Sequence, residues 1–203
     1  MSKSVQRLLF TGLLVASPLA SADPILQDQG LGSLQINYFE PVGQSFTAED
    51  AYVSFGFNYL VMNQPFEVSD LTLSLLDGEG LGGSVLTSST FSLTPAFTGF
   101  FDVDLSAAAL TVGSKYTVTV SAVGDSPYWG IEFNSNFLDA YAGGGLVTAR
   151  PDGVAIFGDV ARMDTNFRVT PLAPPTSVPE PASLALFGIG MLGLALSRRK
   201  RPN

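Results

Sequence analysis

The chain has 203 residues, 46 % of them hydrophobic and only 14 % charged, with 21 Gly, 15 Phe and a formal net charge of −8. So many aromatics with so little charge exclude a disordered chain, and the absence of both Cys and His excludes disulfides, thiol and imidazole catalysis, Ser-His-Asp triads and the usual zinc and copper sites. The stretch from Asp23 to Glu180 holds eighteen acids against four bases, a net charge of −14, which opposes binding to nucleic acid or to anionic lipid.

Residues 1–22 read as a secretory signal peptide. Lys3 and Arg7 form a positive start, Leu8 to Ala16 is an apolar run, and Ala20-Ser21-Ala22 is a small-residue exit, with cleavage expected between Ala22 and Asp23. An amphipathic first helix would show a helical stripe instead of this nearly contiguous run. Signal peptidase is the partner that such a segment implies.

From Asp23 onward the pattern is alternation. Ala51–Leu60, Leu71–Leu75, Tyr116–Val120 and Phe167–Val169 place apolar or aromatic groups at about every second residue, the mark of half-buried strands. Turn clusters separate them at Asp77-Gly-Glu-Gly80, Gly82-Gly83, Val112-Gly-Ser114, Gly143-Gly-Gly145 and Pro151-Asp-Gly153. Eight to eleven short strands without a long helix predict an all-β domain over residues 23–170: a two-sheet antiparallel β-sandwich of jelly-roll or Greek-key type. Residues 171–177, with Pro174-Pro175, read as a Pro-rich linker.

Within the body, Asp77, Glu79, Asp102 and Asp104 are weak candidates for one structural Ca²⁺, because carboxylates at i and i+2 can reach a common hard cation; no other cofactor is expected. The plainer reading is solvated turn acids. Glu132 stands close to Tyr128 and Trp129, the surroundings a raised-pKa glycosidase acid would need, but no second carboxylate is marked. Trp129, Tyr128 and Asn134 belong to the densest aromatic stretch, with Phe133, Asn136, Phe137, Asp139 and Tyr141. Exposed, these would suit a glycan; the favoured reading is packing between the sheets, because a sandwich needs large side chains there. Gly143-Gly-Gly145 follows no βα unit and reads as a flexible turn, not a phosphate loop.

The chain closes with Val178-Pro179-Glu180-Pro181, an apolar stretch from Ala182 to Leu196, and the basic cluster Arg198-Arg199-Lys200-Arg201. The prolines hold Glu180 in an extended segment, residues 182–196 predict a short transmembrane helix, and the basic residues act as a stop that keeps their end cytoplasmic.

Over Val178 to Arg201 the chain resembles the PEP-CTERM sorting signal of Gram-negative bacteria, also described as the ice-binding-protein C-terminal domain. The resemblance implies recognition by the membrane enzyme exosortase, export across the inner membrane, and delivery to the cell surface or beyond, among bacteria that make extracellular polysaccharide and biofilm. It does not imply ice binding, since the tail is an address. The body is similar to β-sandwich domains of anchored bacterial surface proteins at Gly43-Gln-Ser-Phe-Thr47, Leu110–Thr117, Tyr141-Ala-Gly-Gly144 and Asp164-Thr-Asn-Phe-Arg-Val169. The expectation is a non-enzymatic structural or adhesive component of an exopolysaccharide matrix. The alternatives are a carbohydrate-binding module and, less favoured, a secreted glycoside hydrolase.

Overall fold

The strand expected around Phe55 and Phe57 is the axis of the molecule. In a computed structural model, which describes residues 22–62, 67–125, 128–134, 139–149 and 162–175, β4 (Val53–Val61) turns Val53, Phe55, Phe57 and Tyr59 inward, all of them buried. Strict alternation leaves one face for the core and one for solvent, so the residue pattern alone decides which side of β4 is covered.

The described residues are all-β, in two antiparallel sheets. Ahead of β4 come β1 (Ile25–Gln27), β2 (Gly32–Gln35), a single helical turn α1 (Ile36–Phe39) and β3 (Val42–Thr47). After it come β5 (Ser69–Asp77), β6 (Val85–Leu93), β7 (Gly99–Asp104), β8 (Lys115–Ala122), β9 (Trp129–Phe133), β10 (Leu146–Thr148) and β11 (Phe167–Pro171). One sheet runs β10-β3-β8-β5-β6; the other runs β1-β11-β4-β9-β2, with β7 also paired to β4. The connections from β2 to β5 and from β6 to β11 all pass from one sheet to the other, and β5–β6 is the hairpin between them. Gly78 and Gly80, in that hairpin's turn, have φ of 80° and 84°, a conformation only glycine adopts without strain.

β4 is long enough to serve two partners end to end along one edge. Phe57 pairs with Phe167 of β11 on that edge and with Phe101 of β7 on the other, whereas Tyr59 pairs with Ile131 of β9 and with Gly99 of β7. The junction between β11 and β9 therefore falls opposite Asn58.

Between the sheets lies an aromatic ladder. Phe55 meets Phe46 of the opposite sheet at 5.6 Å between ring centroids and stacks on Phe167 at 5.5 Å. Further along, Tyr59 meets Phe91 at 5.8 Å, and Phe91 stacks on Phe101 at 4.6 Å. Leu71, Leu73 and Leu75 of β5 and Val118 and Val120 of β8 complete the core. The Tyr59 hydroxyl is fully buried without a partner among the described residues, and burial pushes its ionisation far above the ordinary phenol range.

The sandwich extends slightly past the boundary expected at residue 170. Pro171 ends β11 opposite Val53, and Leu172 N–H donates to the Tyr52 carbonyl at 2.8 Å; a proline is tolerated at a strand's end, where its missing N–H costs no ladder bond. No helix among the described residues is long and apolar enough to cross a membrane. Residues 1–21, the turn at Pro151–Gly153, the Pro-Glu-Pro motif, the apolar stretch 182–196 and the basic cluster 198–201 lie outside the described residues.

Phe55 touches Phe46, Phe57 and Phe167, so Phe55→Ala is expected to cost about 3–5 kcal/mol in denaturant unfolding. Leu31, 98 % exposed, serves as the control, and its replacement by Ala should stay within about 0.5 kcal/mol. Equal effects at the two positions would place the core elsewhere.

Candidate functional site

The richest concentration of polar chemistry is inside the molecule. β3 should present only apolar groups inward, yet Gln44 stands on that face between Val42 and Phe46 and is 0 % exposed. A buried carboxamide is costly unless its donors and acceptor are all engaged. Gln44 Oε1 accepts from Thr165 N–H at 2.8 Å and Thr165 Oγ1 at 3.2 Å, and Nε2 donates to Asp164 Oδ1 at 2.9 Å. Thr165 bridges to Phe133 of the opposite sheet, so this one amide crosses the sandwich.

Residues 164–166 distribute the connection. Asp164 Oδ2 accepts the N–H groups of Ala140 and Tyr141, each at 3.0 Å, while Asp164 and Asn134 exchange bonds of 2.8 and 3.0 Å through backbone and side chain. Asn166 fills the junction opposite Asn58: it accepts from Gly30 N–H at 2.8 Å, returns a bond to the Gly30 carbonyl, and donates to Glu132 Oε2 at 2.9 Å. Asn58 donates to the same Glu132 oxygen at 2.8 Å. Burial pushes the Asp164 carboxyl above its ordinary value of 3.8, against the opposing effect of the donated bonds from Tyr141, Gln44 and Ala140. At 1 % exposure Asp164 and Asn166 tie strands together.

The glycine run, which forms a turn at Ala142–Gly143, is part of the same construction. Ser45 N–H donates to the Gly145 carbonyl at 2.9 Å, Gly145 N–H donates to Ser45 Oγ at 2.8 Å, Thr47 Oγ1 donates to the Gly143 carbonyl at 2.9 Å, and Thr47 N–H donates to the Tyr141 hydroxyl at 3.1 Å. A Cβ on Gly144 would strike the Ser45 carbonyl. Beside this docked loop is an open polar groove of about 370 Å³, lined by Ser45, Glu79, Lys115, Asp139, Gly144 and Leu146.

The residues proposed for a glycan are separated by the fold. Trp129 is 1 % exposed, its indole packed in the core, and Asn134 is engaged with Asp164; neither offers a face to a sugar, because a strand alternating at Trp129, Ile131 and Phe133 puts all three between the sheets. Tyr128 is half-buried on an open groove of about 300 Å³ with Glu67, Asp70 and Asp125. Glu132, the candidate glycosidase acid, is held by Asn58 and Asn166.

The four acids considered for Ca²⁺ are divided between the sheets. Glu79 pairs with Lys115 at 2.8 Å, Asp102 takes the Arg168 guanidinium on both oxygens, and Asp104 accepts Ser106 N–H at 2.8 Å, while Asp77 ends β5. No group of three carboxylates among the described residues is placed to hold a metal. At the start of the described chain, Ala22 N–H donates to Asp50 Oδ2 at 2.9 Å, and β1 begins three residues later at Ile25.

Comparison with known proteins finds one feature. Residues 177–200 match the family model of the PEP-CTERM protein-sorting motif, the segment holding Val178-Pro179-Glu180-Pro181 and Arg198 to Lys200. No curated protein and no solved structure matches the chain.

Asp164→Asn replaces an acceptor-only group with an amide whose NH₂ must face donor groups, Gln44 Nε2 or the N–H pair of Ala140 and Tyr141. At neutral pH a loss of about 1–3 kcal/mol is expected. Since the folded-state value of Asp164 is raised, its protonated form favours folding. The stability of wild type relative to Asp164→Asn should therefore be greatest below pH 3.8 and fall as pH rises through the folded value. Urea titrations of both proteins across acidic pH read the difference directly, and a rise with pH would contradict the assignment.

Proposed function

We propose that this chain is an exported surface protein whose β-sandwich serves a structural or adhesive role in an extracellular polysaccharide matrix. The observation that carries the reading is the sorting motif at residues 177–200, which marks a chain exported, handed to exosortase and sorted to the cell surface.

Residues 1–22 bring the chain to the export machinery, and cleavage between Ala22 and Asp23 leaves only Asp23 and Pro24 ahead of β1. The sequence from Ala182 to Leu196 predicts a helix that, at about 1.5 Å per residue, would be roughly 22 Å long, shorter than the ~30 Å hydrocarbon core. It holds the chain in the inner membrane with the basic cluster on the cytoplasmic side and Glu180 on the periplasmic side. The sandwich, of jelly-roll type by its repeated crossings between sheets, is the cargo.

Two features support a non-enzymatic cargo. Four of the buried polar side chains, Gln44, Asp164, Thr165 and Asn166, are engaged with one another and with backbone, and Glu132 is engaged by two amides. The strongly acidic surface, −14 between Asp23 and Glu180, resists collapse onto anionic lipid and keeps the domain in the aqueous matrix.

Intact mass and cell fraction of the protein from its host, in wild type and Glu180→Ala, test the sorting step. Wild type is expected to begin at Asp23, to lack Arg198–Arg201 and to leave the inner membrane, while the variant keeps its tail there. Retention of the tail in both would reduce the motif to a spacer. For the matrix role, deletion of the gene should weaken cell aggregation and biofilm, and unchanged aggregation, biofilm and surface composition would refute it.

A further inference from the structure

β6 is the outermost strand of its sheet and is bonded to β5 alone. At nine residues it is as long as β4 and β5; its register with β5 is continuous from Leu93 to Thr87, and the one irregularity is a bulge at Leu86, at the strand's first end, before pairing resumes at Val85. Its other side has no partner strand among the described residues. An edge of this length presents a row of free N–H and C=O groups, and natural proteins usually guard such edges with a charge, a proline or a bulge.

The geometry identifies which groups are free. Val123 N–H donates to the Asp70 carbonyl, on the β8 side of β5, and Asp77 N–H donates to the Ser84 carbonyl, on the β6 side. Backbone groups alternate direction along an antiparallel strand, so Leu71, Leu73 and Leu75 face β6, and their partners Phe91, Ser89 and Thr87 face back. The N–H and C=O of Ser88, Thr90 and Ser92 are left on the open side.

Charge then selects the occupant. β6 reads Val-Leu-Thr-Ser-Ser-Thr-Phe-Ser-Leu, and the uncharged stretch containing it, residues 80–101, is the longest in the chain. In the other sheet the strand path ends at β1 and β2, which are only three and four residues long, and β7, which pairs with β4 alone, carries Asp102 and Asp104. Two copies of so acidic a body repel each other, and β6 itself adds no charge to that repulsion; the acid beside it, Asp70 of β5, accepts a hydrogen bond from Ser92 Oγ. The edge is self-complementary at its centre, because antiparallel pairing about a two-fold axis there sets Ser88 against Thr90 and Ser89 against its own copy.

We propose that β6 is a self-association edge, through which two copies of the chain pair antiparallel about an axis at Ser89, with Ser88 opposite Thr90, and join two five-stranded sheets into one. A single strand edge offers far less than the roughly 1,200–2,000 Å² of a free stable interface. Pairing therefore depends on copies held close together, and in this respect the inference rests on sorting to a common surface.

A chain without cysteine lets one engineered thiol report the contact. About the proposed axis Ser89 faces its own copy as a non-hydrogen-bonded pair, with Cα atoms about 4.5 Å apart, within the span of a disulfide. Full-length Ser89→Cys, oxidised in intact cells, is expected to run at twice its mass on a non-reducing gel. Val112→Cys, 61 % exposed and away from β6, should remain single. Adding Thr90→Pro, which removes an open-side N–H, or Ser88→Lys, which charges the edge, should abolish the doubled band with the sheet signal in circular dichroism unchanged.

No doubled band from Ser89→Cys, equal yields from the two thiols, or a band that survives both edge substitutions would overturn the proposal. The same gel, run on separated membranes, reports tail processing. A processed surface protein without the doubled band refutes the edge and leaves the sorting reading standing; an unprocessed one with the band does the reverse.

Discussion

The structure depends on one amide. Apolar contacts between two sheets are strong but undirected, and a ladder of phenylalanines would tolerate small slides of one sheet over the other. Gln44 removes that freedom, because its carboxamide, fully enclosed, reaches from β3 to Asp164 and Thr165 on the opposite sheet, and a slide would leave several buried polar groups unpaired at once. Such groups are more costly to leave unmade than they are favourable to make. The amide is thus a constraint on register more than a source of stability.

From that point the ties spread in order. Asp164 fixes the loop at Ala140 and Tyr141, Asn134 fixes the end of β9, and Asn166 closes the junction where β9 and β11 meet along β4. Gly30 and Gly144 lie where a side chain would collide with a neighbouring backbone, so both loops can be drawn close enough to bond. An aromatic interior and a small polar clasp divide the work between cohesion and alignment.

The strands were legible in the sequence because alternation is a local property: Val53, Phe55, Phe57 and Tyr59 announce their side of β4 without reference to anything distant. Gln44 was not, since a glutamine between Gly43 and Ser45 reads as a solvent-facing residue until its partners, some 120 residues away, are known. The burial of Trp129 was legible, because a sandwich needs large side chains between its sheets; that of Asn134 was not, since its partner Asp164 lies 30 residues further on. The paired acids misled for a similar reason, as Asp77 and Glu79 close one sheet while Asp102 and Asp104 lie on the other. Gln44 and Thr47, Tyr141 and Gly143, and Asp164 and Thr165 belong to three fragments far apart in the chain that bond to one another in the clasp.

β1 and β4 flank β11 on its two edges, and both run antiparallel to it. β11 is also the strand from which the chain leaves toward its sorting tail. A pull on a cell-anchored copy would therefore draw β11 lengthwise between two fixed neighbours, straining both ladders in shear so that their bonds must yield together and not one by one. Such a strand is a mechanical clamp: under flow, the domain would resist force along its tether far better than force applied across it.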